Sequence, residues 1–316
     1  MQNSMPVIDL VYLWVDGNDP VWQAKHNACI GATSVSGDNC KGRYANNDEL
    51  KYSLRSVERY APWIRRIYIV TDSQVPKWLD TSNPKIKIVD HKDILPSKAL
   101  PCFNSRVLEH HLHKIPGLAE MFLYANDDML INRPVTPDDF FTHQGMPIIR
   151  FNRRPFRKLT LFIKEHILRK KLSNYVLAIK NTAKLVEHKY GKYYGGKTHH
   201  NIDSYLKSDN AATAEEFKPE IEAMLTHHKR SETDVQRNIY SYVALAKKRA
   251  KLVYVNQDTS FRFHIDNPSQ YEKFEKYSPT FFCMNDSEYA NDDDRKRAKD
   301  FLQHLFPTPS QFEKNK

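Results

Sequence analysis

The sequence predicts an α/β fold, a mostly parallel sheet flanked by helices. Two observations carry that expectation. Short apolar runs rich in Val, Ile, Tyr and Phe alternate with stretches of helical period, the pattern of strands joined by crossover helices. Three of the runs also stop abruptly on acids and amides. Val7–Trp14 runs into Val15-Asp16-Gly17-Asn18-Asp19, Met121–Ala125 into Asn126-Asp127-Asp128, and Phe281–Met284 into Asn285-Asp286. In an open α/β sheet, ligands gather just beyond the carboxyl ends of strands. Three sets of hard oxygen ligands at one sheet edge would suit a divalent cation and a phosphate.

The elements follow in order. Residues 7–14 read as a central strand. Residues 23–46 are polar, aperiodic and rich in Gly, Ser and Asn, and read as a long mobile loop. Leu50, Leu54 and Val57 fall at helical spacing after Asp48 and Glu49, which suit a helix N-terminus, and Pro62 ends the run. Ile67–Val70 and Ile86–Val89 are strands, closed by Thr71-Asp72 and Asp90-His91. Ser105–Lys114 is a helix with Leu108 and Leu112 inward, stopped before Pro116-Gly117, and Phe122–Ala125 is the next strand. Residues 157–190 read as one or two basic helices whose apolar strip is Leu161, Leu168, Leu172, Tyr175 and Ile179. Gly191, Gly195 and Gly196 mark 191–198 as a flexible joint. Residues 213–225 and 233–249 are helices, Leu252–Val255 and Phe281–Met284 late strands, and a charged helix runs from Asp292 to near Pro307.

A chain of 316 residues with 40% hydrophobic content suits one large α/β domain with insertions, or two small ones, and the single catalytic domain, residues 1–316, is the expectation. The net charge is +10, yet residues 153–197 alone carry 13 Lys/Arg against two acids, Glu165 and Glu187. That segment reads as a basic helical insertion: either a solvated helix face, or an arm for a polyanion or a membrane surface. No run is apolar enough to span a membrane, and Met1–Pro6 has no signal-peptide character. Cys29, Cys40, Cys102 and Cys283 are scattered, which suits reduced thiols in the cytoplasm, with a Cys29–Cys40 bridge as the minority reading.

Asn126-Asp127-Asp128 is the sharpest chemical signal. Adjacent carboxylates after a strand cannot both enter a core unpaired. One can face a cation, although a helix cap also explains such a pair. His199-His200 and His227-His228 can move protons, but their spacing is not that of a zinc site. Arg43, Arg55, Arg106 and Arg230 lie near the motif segments and suit bidentate phosphate contact, with surface ion pairing as the bland alternative.

Four segments in order carry a resemblance. Ile8–Asp19, then Arg43–Leu79 continuing through Phe103-Asn104-Ser105 to Asn126-Asp127-Asp128, look like the first two signature regions of the Stealth family. His200-Asn201-Ile202-Asp203 with His228–Asp234 resembles the third region, and Cys283-Met284-Asn285-Asp286 with Phe306–Glu313 the fourth. The family comprises bacterial capsular-polysaccharide phosphotransferases and the lysosomal-targeting N-acetylglucosamine-1-phosphotransferase. The resemblance implies a GT-A-like, Rossmann-type fold. It implies transfer of hexosamine-1-phosphate from a UDP-N-acetylhexosamine to a hydroxyl of a growing, anionic capsular glycan, with release of UMP. It implies Mg²⁺ or Mn²⁺ held by Asp128 and Asn285 with Asp286 beside them, and His200, Arg230 and Asp127 as catalytic residues. Trp14, Asp16, Gly17 and Asp19 would shape the donor pocket. Arg43, Asp48, Arg55, Asn104 and Arg106 would complete the substrate site, and Arg169, Lys170 and Lys171 would meet the acceptor. No nucleic acid is expected as partner. A cytoplasmic location follows, with peripheral association at the inner membrane. The rivals are a GT-A glycosyltransferase releasing UDP, and a non-catalytic polyanion-binding module built on the basic segment.

Overall fold

The structure, a computed structural model, describes residues 6–32 and 44–314. Its strands are β1 (Ile8–Leu13), β2 (Ile67–Thr71), β3 (Ile86–Asp90), β4 (Met121–Asn126), β5 (Met129–Ile131), β6 (Ile148–Phe151), β7 (Asp203–Leu206), β8 (Lys251–Tyr254), β9 (Ser260–His264) and β10 (Phe281–Asn285). The main sheet has the order β3-β2-β1-β4-β7. Its first four strands in the chain are mutually parallel, and β7 closes the edge antiparallel to β4. The chain winds outward from β1 to β3 and then returns to the far side of β1 as β4. That reversal opens a crevice between the carboxyl ends of β1 and β4. The register sets Leu13 opposite Asn126, so residues 14–17 and Asp127-Asp128 leave the sheet at the same edge.

Alternation along the strands feeds two cores. Ile8, Leu10 and Tyr12 pack with Leu50, Leu54 and Val57 of the helix Glu49–Tyr60. Val11, Tyr68, Val70 and Tyr124 pack on the other face, with Ala183 and Val186 of the helix Asn174–Tyr190 and Ile239 and Val243 of the helix Asn238–Ala246. A small sheet, β5-β10-β9, stands beside the main one over a third core that includes Phe263, Phe274 and Phe282. β6 and β8 form a parallel pair of their own.

Several expectations are corrected. A helix, Pro20–Ile30, occupies part of the stretch that reads as a loop. Asp19 caps it, and Trp22 and His26 bury against Phe103. Two apolar contacts per helix are too few to show in a periodicity. Residues 33–43 of that loop, Cys40 included, lie outside the described residues, while Cys29, Cys102 and Cys283 are free thiols. The helix from Ser105 stops at Glu109 and resumes as a 3₁₀ turn at Leu112–Lys114. The stretch 213–225 belongs to two helices, Lys207–Glu216 and Lys218–Glu222, and the helix expected from 233 begins at Asn238. β5, β6, β7, β9 and the helix Ser269–Tyr277 are too short or too polar to stand out in the sequence.

The basic segment is helical, as expected. Arg157–Phe162 continues as a π-helix over Ile163–Ile167, and a second helix runs Asn174–Tyr190. Leu161 and Ile179 of the expected strip are buried, but Leu168 is exposed, and the second helix buries Ala178, Thr182, Ala183 and Val186 instead. The glycines at 195 and 196 serve close packing rather than a joint. A Cβ on Gly195 would lie 2.5 Å from the Arg157 side chain, and one on Gly196 would lie 2.6 Å from the Phe151 ring.

Candidate active site

Asp127 and Asp128 form the two-residue link between β4 and β5, where the chain leaves the main sheet for the small one. They therefore cap no helix. β10 meets this link: the Met284 N–H donates to the Asp128 carbonyl at 3.1 Å, and the Cys283 thiol donates to Asp128 Oδ2 at 3.1 Å. Asp128 Oδ1 is buried with no hydrogen-bond partner. Glu49 joins from the start of its helix, its carboxylate accepting from the Asn47 N–H and side-chain amide at 2.7 Å each. Burial first, and then the charge of Asp128, push Glu49 up from 4.5 to about 7 against the hydrogen bonds from Asn47. Burial and the charges of Glu49 and Asp128 hold Asp127 well above the usual carboxylate range. Burial also raises Asp128, against the opposing pull of Cys283, Arg262 and Arg237.

Beneath this cluster a buried network fixes the end of β4. Arg237 pairs with Glu109 at 3.1 Å and Asp203 at 2.9 Å, and lies over the Tyr124 ring. The Tyr124 hydroxyl donates to Glu109 and Asn126.

The expected metal set is partly rearranged. Asn285 ends β10 opposite His264 and its amide donates to the Asp286 carbonyl at 2.9 Å. Asp286 does not offer a free carboxylate: Arg295 grips both its oxygens, at 2.9 and 3.2 Å, and the Asn47 amide donates to it at 3.3 Å. Its reach to Asn47 ties β10 to Glu49. Among the described residues no three His, Cys, Asp or Glu side chains form a ready-made metal cage. The donor chemistry still fits a hard divalent cation, because crowded carboxylates and an unpartnered buried oxygen gain most from one. Mg²⁺ in particular binds through one or two carboxylates and fills its shell with water and substrate phosphate.

Cations line the other side. Arg262, on β9, donates from Nη1 to His200 Nε2 at 3.2 Å, so the ring's own proton sits on Nδ1. Burial, then Arg262, Arg237 and Lys197, hold His200 neutral, well below its usual 6.5. His199 hydrogen-bonds the Ser260 hydroxyl and is pushed down to about 4 by burial and Arg262. Burial, then Arg262, Arg154 and Arg157, bring Lys197 down to about 8, and its ammonium stands 5.2 Å from the centre of the Tyr175 ring. Neither Arg262 nor Lys197 makes an ion pair among the described residues. Arg262 thus acts electrostatically on both Asp128 and His200, and contacts His200 directly.

Arg230 arrives on a loop held by a buried carboxylate. Asp234 accepts from Asn104 Nδ2 (3.0 Å), Arg106 Nη1 (3.1 Å) and the Ser231 N–H (2.9 Å), and pairs with His227 at 2.7 Å. Arg106 also donates to the Ser231 carbonyl, and Arg230 donates to Ser105 Oγ at 2.7 Å. Asn104 and Arg106 are buried and spent on this loop. They position the loop that carries Arg230.

Several other expected contacts carry hydrogen bonds and ion pairs within the fold. Trp14 is buried in the core. Asp16 orders its own turn, its carboxylate accepting from the Asn18 N–H, while its backbone is clasped by Gln74. Gly17 lies against Tyr44, whose carbonyl oxygen would be 2.2 Å from an added Cβ. Asp19 accepts from the N–H groups of Val21 and Trp22. Asp48 pairs with Lys299 at 2.7 Å. Arg55 is buried, bound to Glu313 at 2.7 and 2.9 Å and to the Phe306 carbonyl. Arg169, Lys170 and Lys171 are exposed between the two basic helices, and Arg43 lies outside the described residues. Glu49, Lys197, Tyr175 and Arg262 were not singled out for the site by sequence reasoning. The alternation Ser260-Phe261-Arg262-Phe263-His264 could have flagged Arg262, since it opposes the two Phe residues on a strand.

The chain matches family models described as Stealth protein CR1, conserved region 1, over residues 6–34, Stealth protein CR2, conserved region 2, over 43–149, and Stealth protein CR4, conserved region 4, over 275–316. It is 33% identical over 295 residues to the capsular polysaccharide phosphotransferase LcbA of Neisseria meningitidis, covering 88% of this chain and 77% of that one. It is 35% identical to an exopolysaccharide phosphotransferase of Streptomyces coelicolor, covering 97% of this chain and 52% of the relative. It is 35% identical to the exopolysaccharide phosphotransferase CpsY of Mycobacterium tuberculosis, covering 97% of this chain and 58% of the relative. The chain thus spans little more than half the length of those last two relatives. Among solved structures, a galactosyltransferase, LgtC, in complex with donor and acceptor sugar analogs aligns at a TM-score of 0.44 with 11% identity over 96% of each chain, a distant likeness only. The matched regions carry β1, β4 with its acidic link, and the C-terminal segment clamped to Arg55, and with the identity to LcbA they establish that this chain belongs to the Stealth family.

Proposed function

We propose that the protein transfers hexosamine-1-phosphate from a UDP-N-acetylhexosamine to a hydroxyl of a growing anionic capsular glycan, releasing UMP. The observation that carries this reading is the pairing of an acidic and a basic half-site. Glu49, Asp127 and Asp128 crowd together at the β1/β4 crevice, and Arg262 links them to His200 and Lys197. A metal-bound pyrophosphate has complementary halves. The names of the relatives support phosphotransfer to a polysaccharide.

Asp128, with Glu49, Asp127 and Asn285 around it, would hold Mg²⁺ or Mn²⁺. When bound, such an ion neutralises diphosphate charge and lowers the cost of the leaving nucleotide's negative charge. The chain's own residues do the rest. Arg262 and Lys197, which make no ion pair among the described residues, bind phosphoryl oxygens, and Arg230 joins them from its clamped loop. The acceptor oxygen attacks the sugar-bearing phosphorus, a new P–O bond forms, and the bond to the bridging oxygen breaks with its electron pair leaving on UMP. Arg262 turning onto the phosphoryl group frees His200 Nε2, which takes the hydroxyl proton, while Nδ1–H remains a hydrogen-bond donor. The protein would act in the cytoplasm, at the periphery of the inner membrane.

The test is the nucleotide by-product. Incubation with UDP-sugars, Mg²⁺ and an oligosaccharide primer should yield UMP and a phosphodiester. UDP would mean glycosyl transfer instead. Asp128→Asn should lower turnover about 100-fold or more with unchanged circular dichroism, and near-normal turnover would remove the metal-holding role.

A further inference from the structure

Ten large apolar side chains are exposed among the described residues, and five of them fall within one short stretch: Phe156, Leu159, Phe162, Ile167 and Leu168. Phe156 is 80% exposed and Ile167 65%. They lie on or beside the helix that begins at Arg157 and ends as a π-helix at Ile167. Only Leu161 of that helix is buried against the domain. The chain enters and leaves it through left-handed residues, Phe156 at φ 53° and Arg169 at φ 48°. A soluble protein scatters such side chains singly, and a cluster marks an interaction surface.

The surrounding charge says what that surface meets. Residues 153–171 hold eight Lys/Arg and one acid, Glu165, which is itself paired with Lys180 of the next helix. Lys158 pairs with Glu187 at 2.6 Å, and the other seven cations make no ion pair among the described residues. Apolar side chains interleaved with such cations are the composition of a helix lying in the plane of an anionic membrane. A soluble anionic glycan would satisfy the cations and leave the five apolar groups in water. A protein partner is less favoured, because a continuous cationic collar carries no pattern of alternating charge for it to match.

We infer that the helix 157–167, with Phe156 and Leu168 at its ends, is an in-plane anchor that docks the protein on anionic phospholipid. This names the surface behind the peripheral association proposed above, and it is independent of the phosphotransfer chemistry. Its base adjoins the active site. The Arg157 side chain packs at Gly195, and Arg154 and Arg157 act electrostatically on Lys197. Docking would therefore set the cationic half-site close to the membrane face, within reach of an acceptor held there. Among the described residues no helix is long and apolar enough to cross a membrane, so the mode is surface insertion.

The full chain should sediment with vesicles of phosphatidylcholine mixed with phosphatidylglycerol, and not with phosphatidylcholine alone. Added salt should weaken that binding. Phe162→Ser combined with Ile167→Ser should weaken it about tenfold or more, with turnover on a soluble primer unchanged. Phe162→Trp should shift its emission to the blue on adding the anionic vesicles. The inference is overturned if the wild type stays in the supernatant, or if the double Ser variant binds vesicles as well as wild type. It is equally overturned if the same two substitutions abolish concentration-dependent self-association while vesicle binding is absent, which would make the occupant a second copy of this chain. Turnover on the soluble primer is read separately, so failure of the catalytic reading cannot be mistaken for failure of docking.

Discussion

Arg262 shows what one side chain decides here. Its charge acts on Asp128, and it keeps His200 Nε2 unprotonated by donating to it at 3.2 Å. Its charge is the second cause, after burial, of His200's depressed proton affinity. Removing it should therefore let His200 titrate higher, toward its ordinary 6.5, while desolvation still holds it below that value. Arg262→Gln should also cut turnover about 100-fold, as loss of a donor to a developing phosphoryl charge does. Arg262→Lys should restore part of it, since a lysine keeps the charge and loses the fork. An unchanged imidazole titration by NMR, with unchanged turnover, would remove Arg262 from the site.

At the scale of elements, much of what reads as substrate chemistry is fastening. The helix Glu49–Tyr60 is locked to the C-terminal segment by Arg55, whose guanidinium is bidentate to Glu313. Both side chains are less than a tenth exposed. Truncating one partner of a buried pair leaves the other uncompensated, so Arg55→Ala should cost about 3–5 kcal/mol. The readout is a lowered denaturation midpoint with normal turnover per folded molecule. Loss of turnover at unchanged stability would return Arg55 to the substrate site. The Asp234 clamp on the Arg230 loop follows the same logic, as does Asp19, which closes the N-terminus of its helix. Acids, amides and arginines are the common parts of both active sites and fasteners, which is why their identity alone does not separate the two.

For the whole molecule, the crowded carboxylates predict a particular dependence on pH and metal. Glu49 rises from 4.5 to about 7 on folding, and Asp127 is held well above the usual carboxylate range. At these two groups the folded state binds more protons than the unfolded chain, whereas at the depressed imidazoles, His199 and His200 among them, it binds fewer up to about pH 6.5. The contribution of Glu49 and Asp127 to the stability of the metal-free protein is therefore complete below the unfolded pKa and is lost as pH rises through the folded one. Its Tm should drop as pH rises from about 7 to about 8, above the range in which the histidines of the unfolded chain titrate. Mg²⁺ competes with those protons, so it should raise Tm by a few degrees at the upper end and hardly at all at the lower. Calorimetry across that range tests this, and a metal-free Tm that climbs with pH would contradict it.

The order of strands and helices was legible because buried strands and amphipathic helices leave periodic patterns, as in 67–70, 121–126 and 281–284. Asp127-Asp128 was legible because two acids after a buried strand have few places to go. Tertiary structure alone decided which polar side chains share the crevice. Glu49, 78 residues before Asp127, and Arg262, 62 residues after His200, reach the site through sheet order and register, which no local pattern encodes. It also decided that Asp286, Arg55 and Arg106 are neutralised by Arg295, Glu313 and Asp234. An ion pair is a property of two distant residues at once, and a sequence displays them only one at a time.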